Sequence, residues 1–183
     1  MTSNNSKFIF TTFIIGAFLL ASHNLNAQKL KQKNNLDSTE LEKFLTVKHD
    51  YIKIPITKMA SGHLHIKVVL NGVDGEFVLD TGAGATVVET NRKLKFNLNT
   101  EDTKESGTGA GGKQTLQKSA NNTFKLGALV KTKFNVYVMN LDHVNKAFTS
   151  MGLKEVDGVI GADILTENKA IIDYSNLILY LRK

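Results

Sequence analysis

The residues of this chain best placed to do chemistry lie in FVLDTGAGATVV, Phe77 to Val88. An apolar strand delivers a carboxylate (Asp80), then a hydroxyl (Thr81), then a residue without a side chain (Gly82) into a turn. At the end of such a strand Asp80 meets a low-dielectric setting. Thr81 can anchor the turn through its hydroxyl, and Gly82 lets backbone N–H groups come close to the carboxylate oxygens. A carboxylate presented this way suits general acid–base work. Asp-Thr-Gly alone also reads as a plain turn, so the flanks decide. Here a second apolar run, Thr86 to Val88, carries the chain back towards the core.

A second stretch, SGTGAGGKQT (Ser106 to Thr115), nearly satisfies two phosphate-binding patterns. Read as GxxxxGK it offers Gly107, Gly112 and Lys113; read as GxGxxG it offers Gly107, Gly109 and Gly112. Both patterns need a buried strand before the glycines and a helix after them, because the phosphate sits on N–H groups at the helix N-terminus. Upstream, NLNTEDTKES is too polar for a buried parallel strand. Downstream, Thr115, Ser119, Asn121 and Asn122 undercut a helix, and Gln114 stands where a Mg²⁺-binding Ser or Thr belongs. A supporting strand ending in Asp142, FNVYVMNLD, is interrupted by Asn140. Nucleotide is therefore excluded as a partner, and the glycines need another explanation.

The elements around these stretches are mostly strands. Ile52, Ile54 and Ile56 alternate with polar residues, and so do Leu64, Ile66, Val68 and Leu70, which is the period of a half-buried strand. NGVDG, Asn71 to Gly75, reads as a hairpin connection leading into EFVLD. ATVVE, a short helix or turn over Asn91 to Phe96, the glycine loop, TFKLG and KFNVYVMNL follow. KAIIDYSNLILYL closes the chain as a hairpin around Ser175 and Asn176. Helical signals are few. Asp37 and Glu40, flanked by Leu36 and Leu41, form a capping box that starts a short helix running to about Val47. Many short strands joined by turns predict a closed or sandwich-like all-β domain rather than a βαβ fold.

With apolar residues on both sides, the Asp-Thr-Gly segment resembles the active-site turn of the retropepsin-like aspartic proteases, which include single-domain bacterial members. The resemblance runs in order from about Ile52 to Leu181. NGVDGEFVLDTGAGATVV is similar to the hairpin and catalytic turn, GTGAGG sits where the family places its flap, and DGVIGADIL (Asp157 to Leu165) resembles the segment that crosses behind the active site and opens a short C-terminal helix. AIIDYSNLILYL is similar to the closing hairpin. The resemblance implies a closed β-barrel with a β-hairpin flap. It implies Asp80 as the catalytic residue within the turn Thr81, Gly82 and Ala83, and Gly109, Ala110 and Gly111 as the flap tip over the substrate. It also implies Ile160 and Gly161 as support behind the site.

Peptide hydrolysis in this family uses two facing aspartates that share one proton and hold a water. The chain has one Asp-Thr-Gly; Asp157, Asp163 and Asp173 lack that context. A second copy must then supply the partner carboxylate, which implies a homodimer acting on a peptide or protein. In retroviral members an acid follows Asp-Thr-Gly-Ala, whereas here Gly84 and Ala85 do, so substrate contacts on that side differ.

His63 and His65 share a strand face and could pair on a metal, but with Lys67 next on that face and no third ligand they read as a solvated face, and no metal or other cofactor is called for. His49 and His143 read as surface residues, and Met59, Met139 and Met151 as core or loop filler. The formal charge of the 183 residues is +6, with Lys and Arg scattered among acids, so nucleic acid is not implied.

The N-terminus sets the compartment. FIFTTFIIGAFLLA (Phe8 to Ala21) follows Lys7, and Ala27 ends a polar stretch as a small residue at a cleavage point, a signal-peptide profile over residues 1–27. A membrane contact would come only through an uncleaved signal. Residues 28–50 form a polar leader with the short helix, and residues 51–183 the protease-like domain. The absence of cysteine means that packing, not disulfides, stabilises the exported chain, as suits a bacterial periplasmic or secreted protein. The chief alternative is a non-catalytic module that keeps the fold and binds peptide by strand addition; a third is an envelope protein that docks through its N-terminal helix.

Overall fold

A computed structural model of the chain describes residues 39–109 and 112–183. The signal segment 1–27, the leader up to residue 38 with its Asp37 cap, and the expected flap-tip residues Ala110 and Gly111 lie outside the described residues. The chain divides into two units, Met1–Phe44 and Leu45–Lys183. Residues 39–48 are helical (α1); within the second unit Leu45 of this helix is buried against Ile178 and Tyr180.

Two sheets make up the second unit. The smaller has three antiparallel strands: β1 (Tyr51–Pro55), β11 (Ile178–Arg182) and β10 (Ile171–Asp173), with β11 in the centre. The larger begins with β2 (Thr57–Lys58), β3 (Leu64–Leu70) and β4 (Val73–Leu79), continues through β9 (Gly158–Ile160), β5 (Val87–Glu89) and β8 (Leu129–Met139), and ends with β7 (Gly112–Leu126) and β6 (Thr100–Gly109). A further pairing of β3 with β7, Val69 to Lys125 and Leu70 to Phe124, closes six of these strands into a ring. β2 and β6 lie outside the ring as the outer strands of this sheet. Asn71 reinforces the closure: the side chain donates to Phe96 O at 2.9 Å and to Asn122 Oδ1 at 2.8 Å, and accepts the Thr123 N–H at 2.9 Å.

Local sequence explains most of these elements. Along β3 the even-numbered residues Leu64, Ile66, Val68 and Leu70 are all buried, as the alternation predicts. The β3–β4 turn is Asn71-Gly72, with φ of 51° and 84°, the left-handed pair that a two-residue hairpin needs. β9 is buried on both faces and lies between two strands, parallel to β4 and antiparallel to β5. That is why Val156 to Ile160 shows no alternation. The polar stretches flanking the glycine loop are the two arms of an antiparallel hairpin, β6 and β7, and neither is a helix.

One element departs from expectation. Asp142–Ser150 forms a helix, α2, in addition to the short C-terminal helix α3 (Ala162–Glu167). Its sequence, DHVNKAFTS, has mediocre helix formers, yet Asn145 and Phe148 are buried and hold it to the domain. Phe148 packs with Val78 and Val156, and Asn145 donates to Val156 O and accepts the Val156 N–H at 2.9 Å. Tertiary packing overrides weak propensity here. Thr90–Arg92 is a single 3₁₀ turn that overlaps the start of the expected helix-or-turn region, Asn91 to Phe96.

Candidate active site

β4 carries Asp80 to its position. The strand pairs in parallel with β9, and the ladder runs one rung past Leu79 and Ile160: the Asp80 N–H donates to Ile160 O at 3.0 Å. Beyond Asp80 the chain turns at once. The Ala83 N–H donates to Asp80 O at 3.2 Å, and the Gly82 N–H donates to the carboxylate oxygen Asp80 Oδ1 at 2.8 Å. A hydrogen bond of this kind fixes the direction of the carboxylate.

Ile160, Gly161 and Ala162 pass directly behind this turn. The Ala162 N–H donates to Ala83 O at 2.7 Å. A Cβ on Gly161 would lie 2.4 Å from Ala85 C and 2.9 Å from Ala83 O, contacts that no side chain tolerates. Glycine here lets two backbones approach, so the turn rests on β9 and the start of α3 as on a plate.

Two features of the turn differ from expectation. Asp80 is exposed in the single chain, because the end of β4 opens onto a cleft. Thr81 is also exposed, and its hydroxyl makes no hydrogen bond among the described residues. The Gly82 and Ala83 amides close the turn in its place.

The cleft above Asp80 has a volume of about 500 Å³. Gly82 to Ala85 form its floor. Val87, Leu116, Met139, Leu141, Val144 and Val159 line it with apolar surface, and Glu105 to Thr108 of the β6–β7 hairpin form one wall. Gly109 and Gly112 pair at the tip end of that hairpin. His143, in the first turn of α2, also lines the cleft, so the expectation of a plain surface residue is corrected: the unforeseen helix carries it there. Glu105 beside the Tyr137 phenol, first by hydrogen bonding and also by its charge, pushes that phenol's pKa above the usual value, with burial and the Asp163 charge adding to the effect.

The three aspartates weighed as possible partners, Asp157, Asp163 and Asp173, are committed elsewhere. Asp163 holds Thr86, its Oδ1 accepting the Thr86 hydroxyl at 2.8 Å and its Oδ2 the Thr86 N–H at 2.9 Å. Thr86 Oγ1 in turn accepts the Gly161 N–H at 3.3 Å. Buried Asp157 pairs with Lys95 at 2.6 Å and Arg92 at 3.2 Å and accepts the Glu76 N–H at 2.8 Å. Asp173 caps the β10–β11 turn through Ser175 and Asn176. Sequence spacing carried no sign of the Thr86–Asp163 pair, which are 77 residues apart. Of the paired histidines, His65 binds Glu76 at 2.6 Å, and His63 stacks edge-on against Phe148 with ring centres 5.3 Å apart. Among the described residues no group of three His, Asp or Glu side chains could hold a metal.

A ring of mainly antiparallel strands with an aspartate in a tight turn, a glycine-backed floor and a hairpin along one wall of the cleft is the fold of the retropepsin-like aspartic proteases. The family model described as aspartyl protease matches residues 66–164, more than half of the chain, and the protein belongs to that family. Among solved structures it is similar to a retropepsin-like aspartic protease from Rickettsia conorii, at 20% identity and a TM-score of 0.53, covering 72% of this chain and 92% of that one. It also resembles EIAV protease complexed with the inhibitor HBY-793, at 18% identity and a TM-score of 0.47, covering 64% of this chain and 98% of that one. No curated protein matches it in sequence.

Proposed function

We propose that the protein is an aspartic endopeptidase in which Asp80 from each of two copies forms one catalytic pair. The observation that carries this reading is the exposed Asp80 carboxylate on the floor of a peptide-sized cleft, with Oδ1 held by the Gly82 N–H at 2.8 Å. One chain offers no second such aspartate among the described residues, since Asp157, Asp163 and Asp173 are engaged in structural bonds. The exposure of Asp80 in a single copy fits a partner that covers it.

Two carboxylates about 3 Å apart cannot both ionise, so the pair holds one proton. The ionised member takes a proton from the water between them as the oxygen attacks the scissile carbonyl carbon. The protonated member gives its proton to the carbonyl oxygen, which yields a gem-diol. Collapse of that intermediate breaks the C–N bond and protonates the leaving amine, with the pair restored to one shared proton. The apolar cleft lining excludes bulk water from this step and strengthens the electrostatics.

The test uses the chain lacking residues 1–27 against a degenerate peptide library, with wild type beside Asp80→Asn and Asp80→Ala. Cleavage by wild type alone is expected; equal cleavage by all three rejects the reading. Residues 1–27 are proposed to export the chain, which fractionation of expressing cells tests: a shortened chain outside the cytoplasm is expected, and full-length chain retained inside would reject export.

A further inference from the structure

We propose that Glu105 is a specificity residue, whose carboxylate on the hairpin wall of the Asp80 cleft receives a cationic side chain, lysine or arginine, from the bound peptide. The inference rests on the peptidase reading and goes beyond it to the chemical class of substrate.

The delivery of Glu105 to the cleft is built into β6. That strand pairs Asp102 with Gln117 and Ser106 with Thr115, so residues 103–105 stand opposite Leu116 alone. Bulges of this kind are found beside binding sites, and here the bulge leads directly into residues 105–108 of the cleft wall. Thr103 stitches this bulge shut. Its hydroxyl donates to Leu116 O at 2.8 Å and accepts the Glu105 N–H at 3.1 Å. The irregularity is thus held in one form, with Glu105 in the cleft wall next to Tyr137.

Charge balance within the cleft then selects the ligand. Among the described residues no Lys or Arg lines it, His143 is its one basic residue, and Lys118, with Nζ 6.0 Å from the centre of the Tyr137 ring, makes no ion pair with Glu105. The strand, turn and helix ion pairs of the protein lie elsewhere: Lys95 and Arg92 serve Asp157, and Lys131 serves Glu167. Glu105 makes no ion pair with a Lys or Arg among the described residues. A peptide laid over the apolar lining takes water away from this carboxylate, which is costly unless a cation replaces the water. A neutral substrate side chain leaves Glu105 with the Tyr137 phenol and no counter-charge, and an acidic one is repelled.

The experiment compares matched peptides carrying Lys, Gln or Glu at a single position, scanned along the sequence around a cleavable bond. Wild type is expected to favour Lys over Gln by about fivefold in kcat/KM at one position, the scale of an exposed ion pair, and the preference should shrink as salt rises. Glu105→Gln should bring the ratio near unity, and Glu105→Lys should move it towards Glu. A wild-type ratio near unity at every position, or a preference that survives Glu105→Gln, overturns the proposal. Binding of the same labelled peptides to Asp80→Asn, read by fluorescence anisotropy, separates the two claims. A Lys preference in binding without cleavage by wild type supports the subsite and sinks the peptidase reading. Cleavage without any preference does the reverse, and absence of both preference and cleavage overturns both.

Discussion

Thr86 and Asp163 form the joint on which the active-site turn hangs, with the Thr86 hydroxyl 2.8 Å from Asp163 Oδ1 and the Thr86 N–H 2.9 Å from Oδ2. Thr86 is 1% exposed, so water cannot replace what Asp163 supplies. Asp163→Ala leaves a buried hydroxyl and a buried amide without acceptors, each costing about 1–3 kcal/mol. The expected outcome is a clear fall in Tm together with lost peptidase activity, measured by thermal unfolding and turnover on one preparation. Asp163→Asn keeps one carbonyl acceptor and should fall between the two. An unchanged Tm in Asp163→Ala would remove the joint from the account.

Gly161→Ala tests the close approach behind the turn. The added methyl would sit 2.4 Å from Ala85 C, so the 83–85 backbone has to move. Overpacking of this kind costs about 1–3 kcal/mol, and the displaced segment is the cleft floor. Turnover should drop further than the stability loss explains. A variant with wild-type kcat/KM would show that the floor tolerates the shift.

The two-copy site makes activity depend on protein concentration. Activity per mole of chain should rise with concentration and reach a plateau as the dimer fills, and sedimentation should give the same midpoint. Adding an excess of Asp80→Asn chain to dilute wild type should inhibit it through mixed dimers. A strict monomer that still cleaves peptide contradicts the shared pair.

Asp173 gives a pH dependence of defined sign. Burial acts to raise its pKa, but bonds from the Asn176 side chain and from the Asn176 and Ser175 amides outweigh it, so the folded-state value is lowered. A lowered carboxylate contributes stability above its unfolded pKa of about 3.9, and loses it as pH falls through the folded value. Asp173→Asn should therefore be less stable than wild type at neutral pH, with the gap closing below about pH 4. Urea midpoints across that range check it; a gap independent of pH would refute the assignment. The effect is small, because the site is largely solvated.

Tyr137 reports on the hairpin wall independently of turnover. Its phenol should titrate above the ordinary value near 10, and Glu105→Gln should bring it down by removing the leading cause, with burial and Asp163 still holding it up in part. Ring-carbon NMR of labelled tyrosine measures this. A Tyr137 titration indifferent to Glu105→Gln would separate the two residues.

What the amino-acid order determined by itself is local. Alternation assigned β1 and β3, Asn71-Gly72 assigned a hairpin, and the apolar flanks of Asp80-Thr81-Gly82 marked a turn in a setting that a plain loop lacks, because each of these signals acts over a few residues. The same order pointed to the aspartic protease family, since the segments stand in sequence along the chain. Only the tertiary structure decided the rest. The β3–β7 closure, the Thr86–Asp163 joint and the seating of Asp157 against Arg92 and Lys95 join residues far apart in the chain, where no spacing rule applies. Helix α2 exists because Phe148 and Asn145 find partners in the domain, and through it His143 enters the cleft. Glu105 lines the same cleft next to a bulge stitched by Thr103, an irregularity with no sign in the residue pattern.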